Sequence, residues 1–208
     1  MRSFIGYFRL IKGAGVASIL ALLLSKKVGD KFVTIDPLPK DFDIKVVAFG
    51  VPCCVDYDLS VYSKGLVQSV INGDDIISTI SVGLIRDFLN VSAILVKTKG
   101  LSESLISRAL SGSKVGEENL IDILRLLKSS MNSEKLYPPG DIYWIKSHSG
   151  VVIKDRVRNI VKRVEMHECL DVREMFAEPN FSSSMITDHS PAMYHNVLES
   201  LVKVACKI

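Results

Sequence analysis

Apolar and polar positions along this chain switch repeatedly between short strand-like runs and longer runs with helical spacing. Residues 13–24, Gly-Ala-Gly-Val-Ala-Ser-Ile-Leu-Ala-Leu-Leu-Leu, start small and are apolar on nearly every face, which predicts a helix packed hard against a sheet. A polar connector over 27–43 follows, with Pro37 and Pro39 excluding helix from its second half. Residues 44–50, Ile-Lys-Val-Val-Ala-Phe-Gly, predict a buried strand that Gly50 and Pro52 end. After a short helix around 58–65 comes a second strand containing Val70 and Ile71, stopped by Asn72-Gly73 so that Asp74 and Asp75 stand at its carboxyl end. Helix and strand alternating in this way argue for parallel strands joined by crossovers. In open α/β sheets, ligands and catalytic groups collect at the carboxyl edge of the strands. An aspartate after a strand is nevertheless more often a helix cap than a catalyst.

Further on, Ile80, Leu84, Ile85 and Phe88 recur at helical spacing over 78–89. The Ser-, Gly- and Lys-rich stretch 97–116 reads as a surface insertion, and 117–131 as an amphipathic helix with Leu120, Ile121, Leu124 and Leu127 on one side. Tyr137-Pro-Pro-Gly140 predicts a turn, and 141–145 and 151–155 predict two short strands around 147–150, with Trp144 a core residue. His189 ends a loop just before Ser190-Pro191, a helix-start signature, and Met193, Tyr194, Val197 and Leu198 give that helix an inner face. His148, His167 and His195 sit among polar neighbours and read as surface residues.

Composition narrows the function classes. A chain of 208 residues with 48% apolar composition can bury one core, and the net charge of +3 comes from scattered basic residues, so no nucleic-acid groove is predicted. Cys53, Cys54, Cys169 and Cys206 show no metal-clamp spacing and fit reduced thiols inside a cell. Arg2, Arg9 and Lys12 ahead of an apolar run imitate a signal peptide. That run is shorter than the ~20 residues needed to span a bilayer, and Ser25-Lys26-Lys27 offers no cleavage site, so a buried helix is the preferred reading.

Three of these stretches, in this order, resemble the fungal-type (class three) lipases of the α/β-hydrolase fold, especially the sn-1-specific diacylglycerol lipases. Residues 13–23 resemble the helix after that family's G-H-S-L-G-A-G nucleophile elbow. Val46-Val-Ala-Phe-Gly-Val-Pro52 with Val70-Ile-Asn-Gly-Asp-Asp75 is similar to its strand, proline and acid segment, and Met185-Ile-Thr-Asp-His189-Ser-Pro-Ala-Met-Tyr194 to its "D-H-x-x-x-Y" histidine segment. The resemblance implies an α/β fold: the later part of an α/β-hydrolase domain, a mainly parallel sheet with flanking helices and its amino-terminal strands missing. Residues 1–12 would then be an unmatched lead-in and 13–208 a partial domain with an insertion at 97–131. It further implies Asp75 as the triad acid and His189 as the general base, leaving Asp74 to cap the following turn.

The nucleophile departs from the pattern. The elbow G-x-S-x-G falls on positions 9–13, which read Arg-Leu-Ile-Lys-Gly, so Ile11 occupies the serine's place and Lys12 would supply one oxyanion-hole N–H. Ser3, Ser18 and Ser25 lack the strained turn a nucleophile needs. The expected activity is cleavage of an acyl ester of diacylglycerol or a related acylglycerol, with this chain inactive alone; the rival is a non-catalytic lipid- or protein-binding pseudo-lipase. A fragment is the preferred account, because acid and base stand in sites otherwise free to drift and because a sheet edge and an apolar helix face would lie uncovered. Partners are an acylglycerol lipid and, through the insertion, a membrane surface, in an intracellular setting. No cofactor is expected, and a calcium requirement would come from the family analogy alone.

Overall fold

Each strand of the site-bearing sheet delivers its carboxyl end to the same edge or, in one case, returns from it. In the computed structural model, residues 2–8, 11–36, 38–39, 42–97, 107, 114–148, 163–176 and 182–205 are described. Their contacts separate two compact units, Met1–Ile80 with Leu136–Ile208, and Ser81–Lys135.

The first unit holds the sheet. Strands β1 (Arg2–Phe8), β4 (Phe42–Phe49), β5 (Val67–Asn72), β6 (Asp141–His148) and β7 (Arg163–Glu168) lie in the order β1-β4-β5-β6-β7. The pairs β1·β4, β4·β5 and β5·β6 run parallel and β6·β7 antiparallel, so the sheet is mixed. Helices cover both faces, and the last four residues of β5, Ser69 to Asn72, are accordingly buried in succession rather than alternately. On one face α1 (Ile11–Leu23) sets Ala14, Ala17 and Ala21 against Val46, Ala48, Leu66 and Val67. Small residues let the helix come close, and Gly15 closes on Pro52 so tightly that a Cβ there would lie 3.0 Å from the proline ring. On the other face α8 (Pro191–Ala205) packs Tyr194 and Val197 on Val70 and Ile145. Trp144 lies in the core between β6 and Phe176, which follows α6 (Val172–Met175).

Between β4 and β5 stands α2 (Tyr57–Tyr62), capped by Asp56. The turn 137–140 is held by Ser60 and Ser69, whose hydroxyls donate to the carbonyls of Pro138 and Pro139 at 2.7 and 2.6 Å. After β5 comes α3 (Ile76–Thr79), and α7 (Met185–Asp188) directly precedes His189.

Several expectations need correction. The lead-in is not without structure: β1 lies ahead of α1 and pairs along β4, where no strand was expected before Gly13. The connector 27–43 contains a hairpin, β2 (Ser25–Val28) and β3 (Lys31–Thr34), turning at Gly29-Asp30 with Gly29 at φ 61°. A two-residue Gly-Asp turn is a hairpin signal that the lysines on either side obscured. The antiparallel neighbour of β6 is 163–168; the strand expected at 151–155 lies outside the described residues, and β6 runs on through 147–148. His189 follows a helical turn, α7, and not a loop.

The second unit contains α4 (Val82–Lys97) and α5 (Lys114–Ser129). The helix expected at 78–89 is two helices, because Ser81 starts a new one by accepting from the Leu84 N–H at 3.2 Å. Fully buried Asp87 of α4 accepts from Lys135 Nζ and from the Ser133 N–H, closing the unit's two ends together. The unit therefore begins earlier than the 97–131 insertion read from composition.

Candidate active site

The turn after β5 is built by tying its backbone to both neighbouring segments. Gly73 sits at φ 53°, its N–H donates to the Ile145 carbonyl at 2.8 Å, and its own carbonyl accepts from Trp144 Nε1 at 2.6 Å. Asn72 Nδ2 donates to the Asp188 carbonyl at 2.9 Å, and the Asp74 N–H donates to Asp188 Oδ2 at 3.0 Å. A Cβ on Gly73 would lie 2.4 Å from that same carboxylate oxygen, so a side chain there would displace Asp188 from the turn as well as strain the positive φ. This clamp, unsuspected from the sequence, brings the end of α7 onto the end of β5 and puts His189 beside Asp75.

Asp75 is fully buried, and its carboxylate is met by four donors. Oδ1 accepts from the Ile77 and Ser78 N–H groups at 2.9 and 3.3 Å, as the N-cap of α3. His189 Nδ1 lies 2.8 Å from Oδ1 and 2.9 Å from Oδ2, and the Tyr194 hydroxyl donates to Oδ2 at 2.6 Å. These bonds offset the desolvation of a buried charge. The capping role assigned to Asp74 is thus a correction: Asp75 caps the helix and holds the imidazole at once.

Tyr194 is a site residue that sequence reasoning placed on the inner face of its helix and within the histidine segment, with no role assigned to it. Its hydroxyl also accepts from the Asn72 N–H at 3.1 Å, linking α8, β5 and the acid. Burial, and after it the neighbouring Asp75 charge, pushes that phenol well above the ordinary tyrosine range, so it stays a donor. Gly50 is a second missed residue. At φ 61°, its α-carbon faces the pair so closely that a Cβ would lie 3.1 Å from His189 Cε1 and 3.2 Å from Asp75 Oδ2. The glycine-proline break after β4 was the signal available for it.

The imidazole geometry determines its chemistry. With the carboxylate accepting at Nδ1, that nitrogen carries a proton, which in the neutral ring leaves the lone pair on Nε2. The His189 side chain is 15% exposed, and its Nε2 is buried with no hydrogen-bond partner among the described residues. An imidazole oriented through one nitrogen, with the other unpartnered, has the geometry a general base requires. His167 and His195 lie at the surface, as read, and His148's side chain lies outside what is described.

Topology places the end of β1. Phe8 of β1 is level with Ala48, and Phe49 of β4 with Val70, so β1 ends at the sheet edge that carries Gly50 and Asp75. At about 4.8 Å per strand, β1 stands roughly 10 Å from β5. Ile11 and Lys12 open α1 there; positions 9 and 10 lie outside the described residues. Ser18 is buried with its hydroxyl donating to the Ala14 carbonyl at 2.8 Å, which removes it as a nucleophile. Among the described residues the thiols offer no substitute: burial raises Cys53 and Cys169, and pushes Cys54 up to about 11. Among the described residues no three His, Cys, Asp or Glu side chains are grouped to hold a metal ion.

Among known families, the one described as lipase (class 3) matches residues 12–84, about a third of the chain. The match starts one residue after the elbow position and includes Asp75; His189 lies beyond it. No curated protein matches the chain, and no solved structure does. At this coarse level the match supports a class 3 lipase relationship, an α/β-hydrolase-like fold and a lipase-like hydrolase.

Proposed function

We propose that this chain is the acid-and-base part of a lipase-like serine hydrolase that cleaves an acyl ester of diacylglycerol or a related acylglycerol, and that it is inactive alone. The observation that carries the reading is the buried Asp75–His189 pair with Nε2 unpartnered. In such a site a serine hydroxyl at the elbow would give its proton to Nε2 as it attacks the ester carbonyl. The imidazolium, steadied by Asp75, would then return the proton to the departing alcohol. Position 11 has no hydroxyl to start that sequence. Intracellular residence and membrane association, the insertion included, belong to the same reading, as does the absence of any cofactor requirement.

One observation favours the second reading, a non-catalytic lipid-binding relative. β1 runs along β4 and leads toward α1 as an elbow strand would, yet Ile11 stands where the nucleophile belongs. The test is diacylglycerol hydrolysis in mixed micelles by the chain itself and by an Arg9→Gly/Ile11→Ser variant. The proposal expects no turnover from the first and measurable turnover from the second, abolished by adding His189→Ala. Turnover by the unaltered chain places the nucleophile elsewhere. A folded double variant with no turnover leaves the binding reading.

A further inference from the structure

Helix α1 has its small side chains inside and its large ones outside. Ala14, Ala17, Ser18 and Ala21 are buried against the sheet, whereas Val16, Ile19, Leu20 and Leu23, spaced to share the opposite side, are between 40% and 64% exposed. Soluble surface helices show the reverse arrangement, with polar residues outward. The chain passes from this helix straight into the β2–β3 hairpin, where Lys26 pairs with Val33 and Val28 with Lys31, so that one face carries these two exposed lysines and two exposed valines, while Lys27 lies on the other face with its Nζ over the Phe32 ring. The hairpin is held in place rather than free: Phe32 meets the Tyr62 ring edge-on, and the Lys27 N–H donates to the Tyr62 hydroxyl at 2.8 Å.

We infer that the outer side of α1 and the β2–β3 hairpin form a docking surface for a bilayer carrying anionic lipid. The apolar stripe supplies side chains to enter the headgroup boundary, and the lysines beside it match the negative surface potential of such a leaflet. A helix of 13 residues is about 20 Å long and lies on a membrane rather than crossing it. No described helix is long and apolar enough to span one. Charge decides against a second copy of the chain as occupant. A second copy offers this basic patch a chain of net charge +3, whereas an anionic leaflet attracts both Lys26 and Lys31. The inference does not rest on the hydrolase reading, since a chain without turnover would bind equally well.

The test is co-sedimentation of the whole chain with vesicles of phosphatidylcholine alone and of phosphatidylcholine mixed with phosphatidylserine. The chain should pellet with the mixed vesicles and far less with the neutral ones. Affinity should fall roughly fivefold for each lysine replaced in Lys26→Ala and Lys31→Ala, and less steeply at high salt. Leu20→Glu/Leu23→Glu should return the protein to the supernatant; circular dichroism checks its fold, and the lysine variants decide if that fold is lost. A chain that stays in the supernatant with both vesicles overturns the proposal, as does equal binding to both with the lysine variants unchanged. A dimer on light scattering that Leu20→Glu/Leu23→Glu converts to monomer also overturns it, because a second copy then covers the face.

Discussion

Tyr194→Phe removes a single oxygen atom from the centre of the site. The ring keeps its packing on Val70 and Ile145 and its edge contact with Phe49, so cavity formation contributes almost nothing. Two hydrogen bonds disappear. The 2.6 Å bond to Asp75 is charge-assisted, a class that contributes about 1.5–3 kcal/mol. The 3.1 Å bond from the Asn72 N–H leaves a buried donor unsatisfied, which costs about 1–3 kcal/mol. Allowing for partial relaxation, the variant should lose about 3 kcal/mol. Urea unfolding followed by circular dichroism reads this as a lower midpoint at unchanged slope. Combining Tyr194→Phe with Asp75→Asn should give a loss smaller than the sum of the two by about 1 kcal/mol or more, since both remove the same bond. A loss below about 0.5 kcal/mol, or strict additivity, would refute the hydroxyl's role as a strut beneath the carboxylate.

Gly50→Ala places a methyl group against the imidazole at a backbone angle unfavourable to L-residues. It should destabilise the fold by about 1–3 kcal/mol and shift the His189 ring resonances, whereas Gly65→Ala, also at positive φ but with open space around it, should leave those resonances alone. Burial alone would raise Asp87, but the hydrogen bonds from Lys135 and Ser133 prevail and hold its carboxyl below the usual range. A depressed acid stabilises above its unfolded value of about 3.9 and loses that contribution as pH falls through the folded value. Unfolding between pH 7 and pH 3 should therefore flatten in Asp87→Asn, and an unchanged acid limb would contradict the pairing. Cys54, raised to about 11, should react with a disulfide reagent at pH 8 about a thousandfold more slowly than a fully ionised thiol.

The positions of Asp75 and His189 at element ends were legible in the sequence because each stands beside local punctuation, Asn-Gly before Asp75 and Ser-Pro after His189. Their supports were not. Tyr194 looks like any apolar position of an amphipathic helix, since its ring does pack in the core and only its hydroxyl reaches Asp75. The Asp188 clamp joins segments 114 residues apart, which no local pattern encodes. The choice between Asp74 and Asp75 as cap turned on one residue of phase, beyond what pattern reading resolves. The β2–β3 hairpin was read as connector because lysine suppresses the strand signal, and β1 because arginines and the neighbouring apolar helix suggested a leader.

The measurement that bears most directly on the site is nitrogen NMR of the His189 imidazole in the whole chain. The account predicts the tautomer with its proton on Nδ1, a ring proton shifted downfield by the Asp75 carboxylate, and loss of that signal in Asp75→Asn while the ring signals of His195 stay put. A proton found on Nε2, or an imidazole indifferent to Asp75→Asn, would contradict it.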